Sequence, residues 1–511
     1  MTPVMPQIKN VVFLMLENRS LDNVLGWLYD KRAPQHVYPA GSPAAYDGLV
    51  AGRYHNPAHS VTGVHSYPVE PIPAKYQHDR VPAYDPYEAM REGAEWNGVM
   101  NQLFGNADPT KGIPSDGTPA QMLGFLQDYY ARYMVEWQGL DALWTYTPEQ
   151  LPRINSLAYQ FAVSDRWFSS VPTQTNPNRA YSLCGTSLGR EANQTLTAVE
   201  QYNVPTLINR LAEAGKHWGL YYEDIWQKGK CFTEYTFPQI SAAKNGEVAM
   251  IEQFKAHAKA GSLPAFSYLE PKWGYGKGAI FTQGHDYHPP TSVAPGEQFL
   301  WDIYTALRNS PQWQDTLFIV TFDEHGGTYD HVAPPWGAIN PDGIKGTKWG
   351  FDFKLYGARV PTLLISPYIA PQTVFRAPAD SAQPFDHTSF IKTLLLWAGV
   401  NPANAGLGKR VPAAPSFDGV LADTIVNDGT VALQTLAGGD AAPASATASL
   451  TAAPPASSPL NGHFDGMPFA SVRAILNAND SMGEIEAAIA AFKENPARYE
   501  STLEAEPLPK Q

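Results

Sequence analysis

Cysteine and basic residues are scarce in this sequence. Only two cysteines, Cys184 and Cys231, occur among 511 residues, which excludes a disulfide framework and a cysteine-based zinc site. Lys and Arg number 36 against 49 Asp and Glu, a net charge of −13. This balance argues against binding to nucleic acid or to an anionic membrane, because both need a basic surface. An anionic substrate would need local compensation, such as a metal ion or a helix N-terminus.

Long apolar runs are also missing. The most apolar early segment, residues 11–16, ends at Glu17, whereas a bilayer-spanning helix needs about 20 residues. Its β-branched content favours a buried strand. The sequence therefore predicts no integral membrane segment and no signal peptide, and either a cytosolic protein or the mature form of an exported one. The sequence does not indicate an oligomeric state.

What is present is an alternation of short apolar runs with amphipathic segments. Strands are predicted at 8–16, 218–222, 265–269, 317–322 and 360–366, and helices at 151–161, 204–214, 297–308 and 388–397. This alternation is typical of an α/β fold with a mostly parallel central sheet flanked by helices.

Two regions depart from this pattern. Residues 29–144 are rich in Pro, Gly, Tyr and His and are predicted to form a loop-rich insertion that lines a site. An Ala/Ser/Pro-rich tether at 437–460 separates the predicted catalytic domain, 1–436, from a C-terminal helical appendage at 461–511.

Two predicted strands end in acidic and amide residues. Glu17 and Asn18 follow the first strand, and Asp323 and Glu324 follow the fourth. Open parallel sheets bind ligands beyond the carboxyl ends of their strands, so these side chains can converge on one cation that compensates their charge. Acidic residues after strands also form turns and helix caps, but two consecutive acids before His-Gly-Gly fit that interpretation poorly.

A hydroxyl residue lies at a predicted helix start. Asn176 followed by Pro177 is an N-cap and N1 signature, so Thr175 would lie just ahead of the positive end of a helix. Backbone N–H groups there favour a phosphate or other oxyanion. A hydroxyl can act as a nucleophile when a metal lowers its pKa, and Arg179 can add a bidentate anion contact.

Histidines beside acidic residues are candidates for proton transfer. His288 closely follows Asp286, and His387 follows Asp386, an arrangement that suits protonation of a leaving group. For any single histidine, a structural hydrogen-bonding role is the competing interpretation.

These segments together match a known family. The motifs are Glu17–Asp22, Thr175–Arg179, Asp286–Pro289, Asp323–Gly327 and Asp386–Ser389. In this order they resemble the phosphoesterase family that contains the non-specific phospholipases C and the AcpA-type acid phosphatases, over roughly residues 8–400. The resemblance implies a fold similar to alkaline phosphatase and the arylsulfatases, and the members are commonly exported.

The resemblance also implies a role for each matching residue. Thr175 is implied to be the nucleophile that forms a transient phospho-enzyme. One divalent metal ion is implied to bind at Glu17, Asn18, Thr175, Asp323 and Glu324. His288, with Asp286, is implied to contact the phosphoryl group or protonate the leaving group, and His387 to be a further site histidine. Oxygen ligands admit calcium, manganese, zinc or iron.

One sequence feature of the family is absent here, and the substrate is not determined by the motifs. Members often carry Asp-Pro-x-His in the insertion, where this chain has 85–88 as Asp-Pro-Tyr-Glu; His78 is a candidate substitute. A phospholipid or small-molecule phosphodiester is the favoured substrate, with a monoester, as for an acid phosphatase, as the alternative. A choline headgroup would favour an aromatic cage. Its candidates, which can equally be packing residues, are Tyr84, Tyr87, Trp96, Trp137 and Trp144.

Two further functions compete. Residues 185–189 satisfy G-x-S-x-G around Ser187, as in serine esterases, but that motif needs a preceding strand and residues 177–184 are predicted to be helical. A sulfatase signature is missing after Cys184. A non-catalytic binding protein on the same fold is the remaining alternative, which the intact Thr175 and acidic pairs disfavour.

Overall fold

The secondary structure comes from a computed structural model, which describes residues 2–60, 63–72, 94–105, 114–128, 142–193, 201–276, 280–281, 284–289, 292–346, 350–427 and 467–468. The strands are β1 (Asn10–Leu16), β2 (His36–Tyr38), β3 (His55–Ser60), β4 (Gly63–Pro68), β5 (Glu70–Pro71), β6 (Trp144–Thr145), β7 (Ala162–Ser164), β8 (Trp218–Tyr222), β9 (Gly246–Met250), β10 (Phe266–Glu270), β11 (Tyr275–Gly276), β12 (Ile280–Phe281), β13 (Thr316–Phe322), β14 (Thr362–Ile365), β15 (Thr373–Phe375) and β16 (Met467–Pro468). The α-helices are α1 (Leu21–Leu25), α2 (Ala94–Phe104), α3 (Pro152–Gln160), α4 (Thr175–Cys184), α5 (Leu207–Glu213), α6 (Phe232–Thr236), α7 (Ile251–Ala260), α8 (Ala294–Arg308), α9 (His387–Trp397) and α10 (Arg410–Ala413). Short 3-10 helices lie at Pro238–Ala242, Trp313–Asp315, Pro402–Asn404 and Asp418–Val420.

Nine of these strands form one central sheet, in the order β2-β15-β7-β14-β13-β1-β10-β8-β9. Every neighbouring pair is parallel except the two pairs made by β14, which runs antiparallel to β13 and β7. The predicted α/β fold with a mostly parallel sheet flanked by helices is confirmed.

The centre of the sheet is the pair β1 and β13. Their residues pair in parallel from Asn10 opposite Thr316 to Leu16 opposite Phe322, and all residues of both strands are buried. Burial on both faces explains their nearly unbroken apolar sequences. Because the two strands end at the same level, the residues that follow them meet: Asp323 N donates to Leu16 O at 3.2 Å.

The predicted helices and strands agree with the observed ones to within about three residues. The largest shifts, of three residues, are at the starts of α5 and α8. Helix α8 begins at Ala294 rather than 297 and has a proline in its first turn, a favourable position because the proline lacks an N–H. Within the described residues, none of the helices combines the length and hydrophobicity needed to span a lipid bilayer.

The described parts of the 29–144 insertion join the sheet and share a second hydrophobic cluster with later segments of the chain. The first strand of the insertion, β2, pairs with β15 at one edge of the sheet. Val99, Leu103 and Phe125 pack in a second hydrophobic cluster against Tyr329, which follows β13. These described parts of the insertion are therefore packed beside the carboxyl edge of the sheet. Apart from β16, the tether and the C-terminal appendage lie outside the described residues.

Candidate active site

The acidic and amide residues predicted to form the metal site lie side by side at the carboxyl edge of the sheet. Glu17, Asn18, Asp323 and Glu324 are each at most 1% exposed. Asn18 turns the chain with a left-handed φ of 56°, and its backbone N donates to Asp323 Oδ1 at 2.9 Å. Glu324 Oε2 accepts from Gly326 N at 2.6 Å. The two motifs are thus directly hydrogen-bonded to each other.

Thr175 reaches this cluster from the start of α4. Its Oγ1 lies 3.3 Å from Glu17 Oε2 and 3.4 Å from Asn18 Oδ1. The prediction of Asn176 as the N-cap was wrong. Helix α4 begins at Thr175, and its N-cap is Gln174, which has an extended backbone and makes no side-chain capping hydrogen bond. The backbone N of Asn176 instead donates to Asn193 Oδ1 at 2.7 Å.

The loop before α4 is held in place by one side chain that the sequence analysis missed. Asn178 Nδ2 donates to the carbonyl oxygens of Val171, Thr173 and Gln174 at 2.9–3.1 Å. Its Oδ1 accepts from Val171 N at 3.1 Å. These bonds fix the backbone just ahead of Thr175. The signal was present in the sequence, since asparagine commonly caps turns and helix starts.

Arg179 makes its main contact with a carboxylate of this protein. Nε and Nη2 donate to Glu17 Oε1 at 2.8 and 2.5 Å, and Nε lies 3.7 Å from Asp323 Oδ2. The guanidinium also lies over the ring of Trp273, 4.7 Å from its centroid. The anion that Arg179 contacts in this structure is therefore Glu17, and the guanidinium fixes which oxygen of that carboxylate faces Thr175.

The cluster has the properties of a divalent cation site. Burial and the nearby Asp323 raise the pKa of Glu17 well above its ordinary value, although the guanidinium beside it opposes this. Within the described residues, Asp323 Oδ2 is buried and accepts no hydrogen bond. A buried oxygen without a hydrogen-bond donor and a carboxylate that resists ionisation both indicate negative charge that Arg179 compensates only in part. The oxygen donors Glu17, Asn18, Thr175, Asp323 and Glu324 suit a hard or borderline ion.

A second group of ligand-type side chains lies nearby. Within the described residues, one set of three brings ligand atoms within 4.8 Å of one another: Asp22, Asp330 and His331. The three carboxylates of the predicted set, Glu17, Asp323 and Glu324, do not form such a group; the other two predicted ligands are an amide and a hydroxyl. All three residues fall in or just after the quoted motifs, so the sequence held the signal, but the prediction used only the residues immediately after the strands.

An arginine side chain already pairs with the two carboxylates of this second group. Arg359 Nη2 lies 2.8 Å from Asp22 Oδ1, and its Nε lies 2.9 Å from Asp330 Oδ1. His331 contacts Asp22 at 2.6 Å and Asp47 at 3.2 Å. Burial alone would lower the pKa of His331, but these carboxylates raise it to about 9. The group can offer metal ligands, yet its charge is balanced by an arginine and a histidine.

His288 lies against the cluster, but its ring does not pair with Asp286. Its Nε2 is 3.2 Å from Asn18 Nδ2, and its Nδ1 contacts the carbonyl oxygen of Pro289. Asp286 instead accepts from two backbone amides, His288 N at 3.1 Å and Gly274 N at 2.5 Å. Burial lowers the pKa of His288 to about 3 and raises the pKa of Asp286 to about 6.

His387 touches the cluster through the backbone. It is the first residue of α9, whose N-cap is Asp386, and its Nε2 is 2.6 Å from the carbonyl oxygen of Asp323. A carbonyl only accepts, so Nε2 donates and Nδ1 carries the lone pair. Burial lowers the pKa of His387, which favours this neutral form.

The insertion contacts the second motif through His325. Its Nε2 is 2.9 Å from Gln102 Oε1 on α2, and Gln102 Nε2 donates to Asp128 at 2.9 Å. Of the aromatic candidates, Trp144 is buried in β6. Outside the described residues lie the 85–88 segment, His78, Tyr84, Tyr87 and Trp137, and the side chain of Trp96.

The G-x-S-x-G segment lacks the geometry of an esterase. Ser187 follows helix α4, which ends at Cys184 and has Gly185 as its C-cap with a left-handed φ of 71°, whereas the esterase motif needs a strand before the serine. Ser187 is fully buried, and its Oγ donates to Arg190 O at 2.9 Å. The serine is a structural element of the turn after α4.

Comparisons with known proteins agree with these features. Residues 8–400 match the Phosphoesterase family. Non-specific phospholipase C3 of Arabidopsis thaliana is 34% identical over 399 residues, which cover 76% of this chain and 69% of that protein. Non-specific phospholipase C4 of the same plant is 33% identical, covering 81% and 72%. Phospholipase C A of Mycobacterium tuberculosis is 27% identical, covering 81% and 76%. A solved structure from Vibrio parahaemolyticus, described as a protein in the alkaline phosphatase superfamily, gives a TM-score of 0.32 at 16% identity and covers 52% of this chain and 64% of that chain.

Proposed function

The chain belongs to the phosphoesterase family and is a hydrolase of phosphoric esters, and we propose that it cleaves phosphodiesters in the manner of a phospholipase C, with Thr175 as the nucleophile. The observation that carries this proposal is the position of Thr175 Oγ1, within 3.4 Å of both Glu17 and Asn18. The names of the plant and mycobacterial relatives support the choice of a phospholipid diester.

The chemistry follows from the surroundings of the hydroxyl. Thr175 Oγ1 forms a bond to phosphorus, and the bond from phosphorus to the leaving oxygen breaks. That oxygen takes a proton from water and departs as an alcohol, which leaves a phosphothreonine that still carries the other ester group. The hydroxyl proton moves toward Glu17 Oε2, which lies 3.3 Å away and accepts a proton in the ionised form that the Arg179 guanidinium favours. Water then cleaves the phosphothreonine and restores the hydroxyl.

A divalent ion at this site would be held by Glu17, Asn18, Thr175, Asp323 and Glu324. Such an ion supplies the positive charge that a phosphate ester requires and lowers the pKa of the oxygens bound to it. Arg179 keeps the Glu17 carboxylate oriented while this happens, through its two hydrogen bonds to Oε1.

The test compares three chromogenic esters: p-nitrophenyl phosphorylcholine, p-nitrophenyl phosphate and a p-nitrophenyl acyl ester. We expect turnover of the diester, abolished in Thr175→Ala and retained in part in Thr175→Ser, which keeps the hydroxyl. Ser187→Ala is the matched control and should keep diester turnover. Faster turnover of the monoester would assign an acid phosphatase. Acyl-ester turnover lost only in Ser187→Ala would overturn the proposal.

A further inference from the structure

The ring of His288 lies between two groups whose hydrogen-bonding roles are fixed. On one side, Nδ1 contacts the carbonyl oxygen of Pro289, which can only accept, so Nδ1 carries the proton. A neutral imidazole protonated at Nδ1 has its lone pair on Nε2. On the other side, Nε2 lies 3.2 Å from Asn18 Nδ2, which can only donate. His288 is therefore an acceptor toward Asn18.

This contact decides which way the Asn18 amide points. With Nδ2 bound to His288, Oδ1 is directed to the other side, where it lies 3.4 Å from Thr175 Oγ1. A reversed amide would place Oδ1 against the lone pair of Nε2, which is repulsive. Only the observed orientation presents an oxygen to the acidic cluster.

The position of the ring is itself held by the backbone. Asp286 binds the backbone N of His288 at 3.1 Å and of Gly274 at 2.5 Å, and its carbonyl oxygen accepts from Glu17 N at 2.8 Å. Gly274 lies just beyond β10, the strand next to β1. The loop that carries His288 is thus tied to the same edge of the sheet as Glu17 and Asn18.

We propose that His288 is a positioning residue that orients the Asn18 amide toward the cation site, rather than the donor of a proton to the leaving group. The inference rests on the proposed function, because it takes Asn18 Oδ1 as a ligand of the divalent ion. Supporting residues of metal ligands typically change metal affinity or activity by about 10–100-fold when removed.

The test measures Mn²⁺ binding by titration calorimetry, together with diester turnover. We expect His288→Ala to weaken Mn²⁺ binding about 10–100-fold, and His288→Gln to recover much of it, because a glutamine oxygen can accept from Asn18. Across aryl diesters with leaving groups of different acidity, the loss of turnover should be uniform. Unchanged Mn²⁺ affinity in His288→Ala, with a loss that grows for poorer leaving groups, would overturn the inference.

Repeating the His288 substitution in a protein that already carries Asn18→Asp distinguishes a positioning role of His288 from general damage to the fold. In Asn18→Asp, the carboxylate has two equivalent oxygens and no orientation to select, so adding His288→Ala should change Mn²⁺ affinity far less than it does with Asn18 present. Equal effects in both backgrounds would contradict the inference. The proposed function fails separately, if the wild-type protein neither binds Mn²⁺ nor depends on Thr175 for turnover.

Discussion

Replacing Arg179 by methionine tests the charge balance of the site directly. The guanidinium is 1% exposed and lies between Glu17 and Asp323, at 2.5–2.8 Å from the first and 3.7 Å from the second. Methionine is of similar length, so the change removes the positive charge while filling much of the space. In the metal-free protein it leaves two neighbouring buried carboxylates without this partner.

The expected loss is large for a single substitution. Removing one partner of a buried ion pair costs about 3–5 kcal/mol, which is roughly a hundredfold to several thousandfold in the unfolding constant. The loss depends on pH, because the raised pKa of Glu17 rises further without Arg179. A carboxyl group whose pKa is raised by folding makes the protein less stable as pH increases. Both proteins keep Glu17 protonated at low pH, so the extra cost of the substitution should be small there and should grow as pH rises through the raised pKa of Glu17 in the wild-type protein.

The assay is urea unfolding of the wild-type and variant proteins at pH 5 and pH 8, with and without Mn²⁺. Arg410→Met is the matched buried control, because Arg410 donates mainly to backbone carbonyl oxygens and its loss should depend little on Mn²⁺. Lys9→Met removes an exposed ion pair and should change stability little. The reasoning is refuted if Arg179→Met costs no more than Lys9→Met at pH 8, or equally much at both pH values.

Three further outcomes are expected. Mn²⁺ affinity should be higher at pH 7.5 than at pH 5.5, and binding should release protons, because the raised pKa of Glu17 makes the ion compete with a proton. Calorimetry in buffers of different ionisation enthalpy measures the number of protons released. Binding that releases no protons would contradict the expectation. Gly326→Ala should cost at least about 2 kcal/mol, since φ is +61° and the new Cβ would lie 2.0 Å from Asn18 O. Gly343→Ala, with φ of +79° and no atom within 4 Å, should cost only about 1 kcal/mol in the same urea titration. Both cysteines are buried with raised thiol pKa values, so a thiol reagent should react slowly until the protein is unfolded, and rapid native-state labelling would refute this.

The fold could be predicted because its central strands are buried on both faces. Continuous apolar runs such as those of β1 and β13 are visible without knowing their neighbours, and the helices between them show their own periodicity. The side chains that follow these strands, Glu17 and Asp323, could be expected at one edge because parallel strands share it. Their pairing across about 300 positions of sequence was not visible in any local pattern.

The roles of individual polar groups were decided by the tertiary structure. Arg179 was expected to face an anion from outside, and it contacts Glu17. His288 was expected beside Asp286, and its ring contacts Asn18 instead. The ion pairs of Arg359 were not anticipated at all.

The amino-acid sequence by itself therefore determined the layers, the strands and the residue types at the carboxyl edge of the sheet, because burial and periodicity are properties of short segments. Only the tertiary structure decided which donor meets which acceptor. Hydrogen bonds depend on a few tenths of an ångström and on direction, and here those distances are set between segments that are distant along the chain.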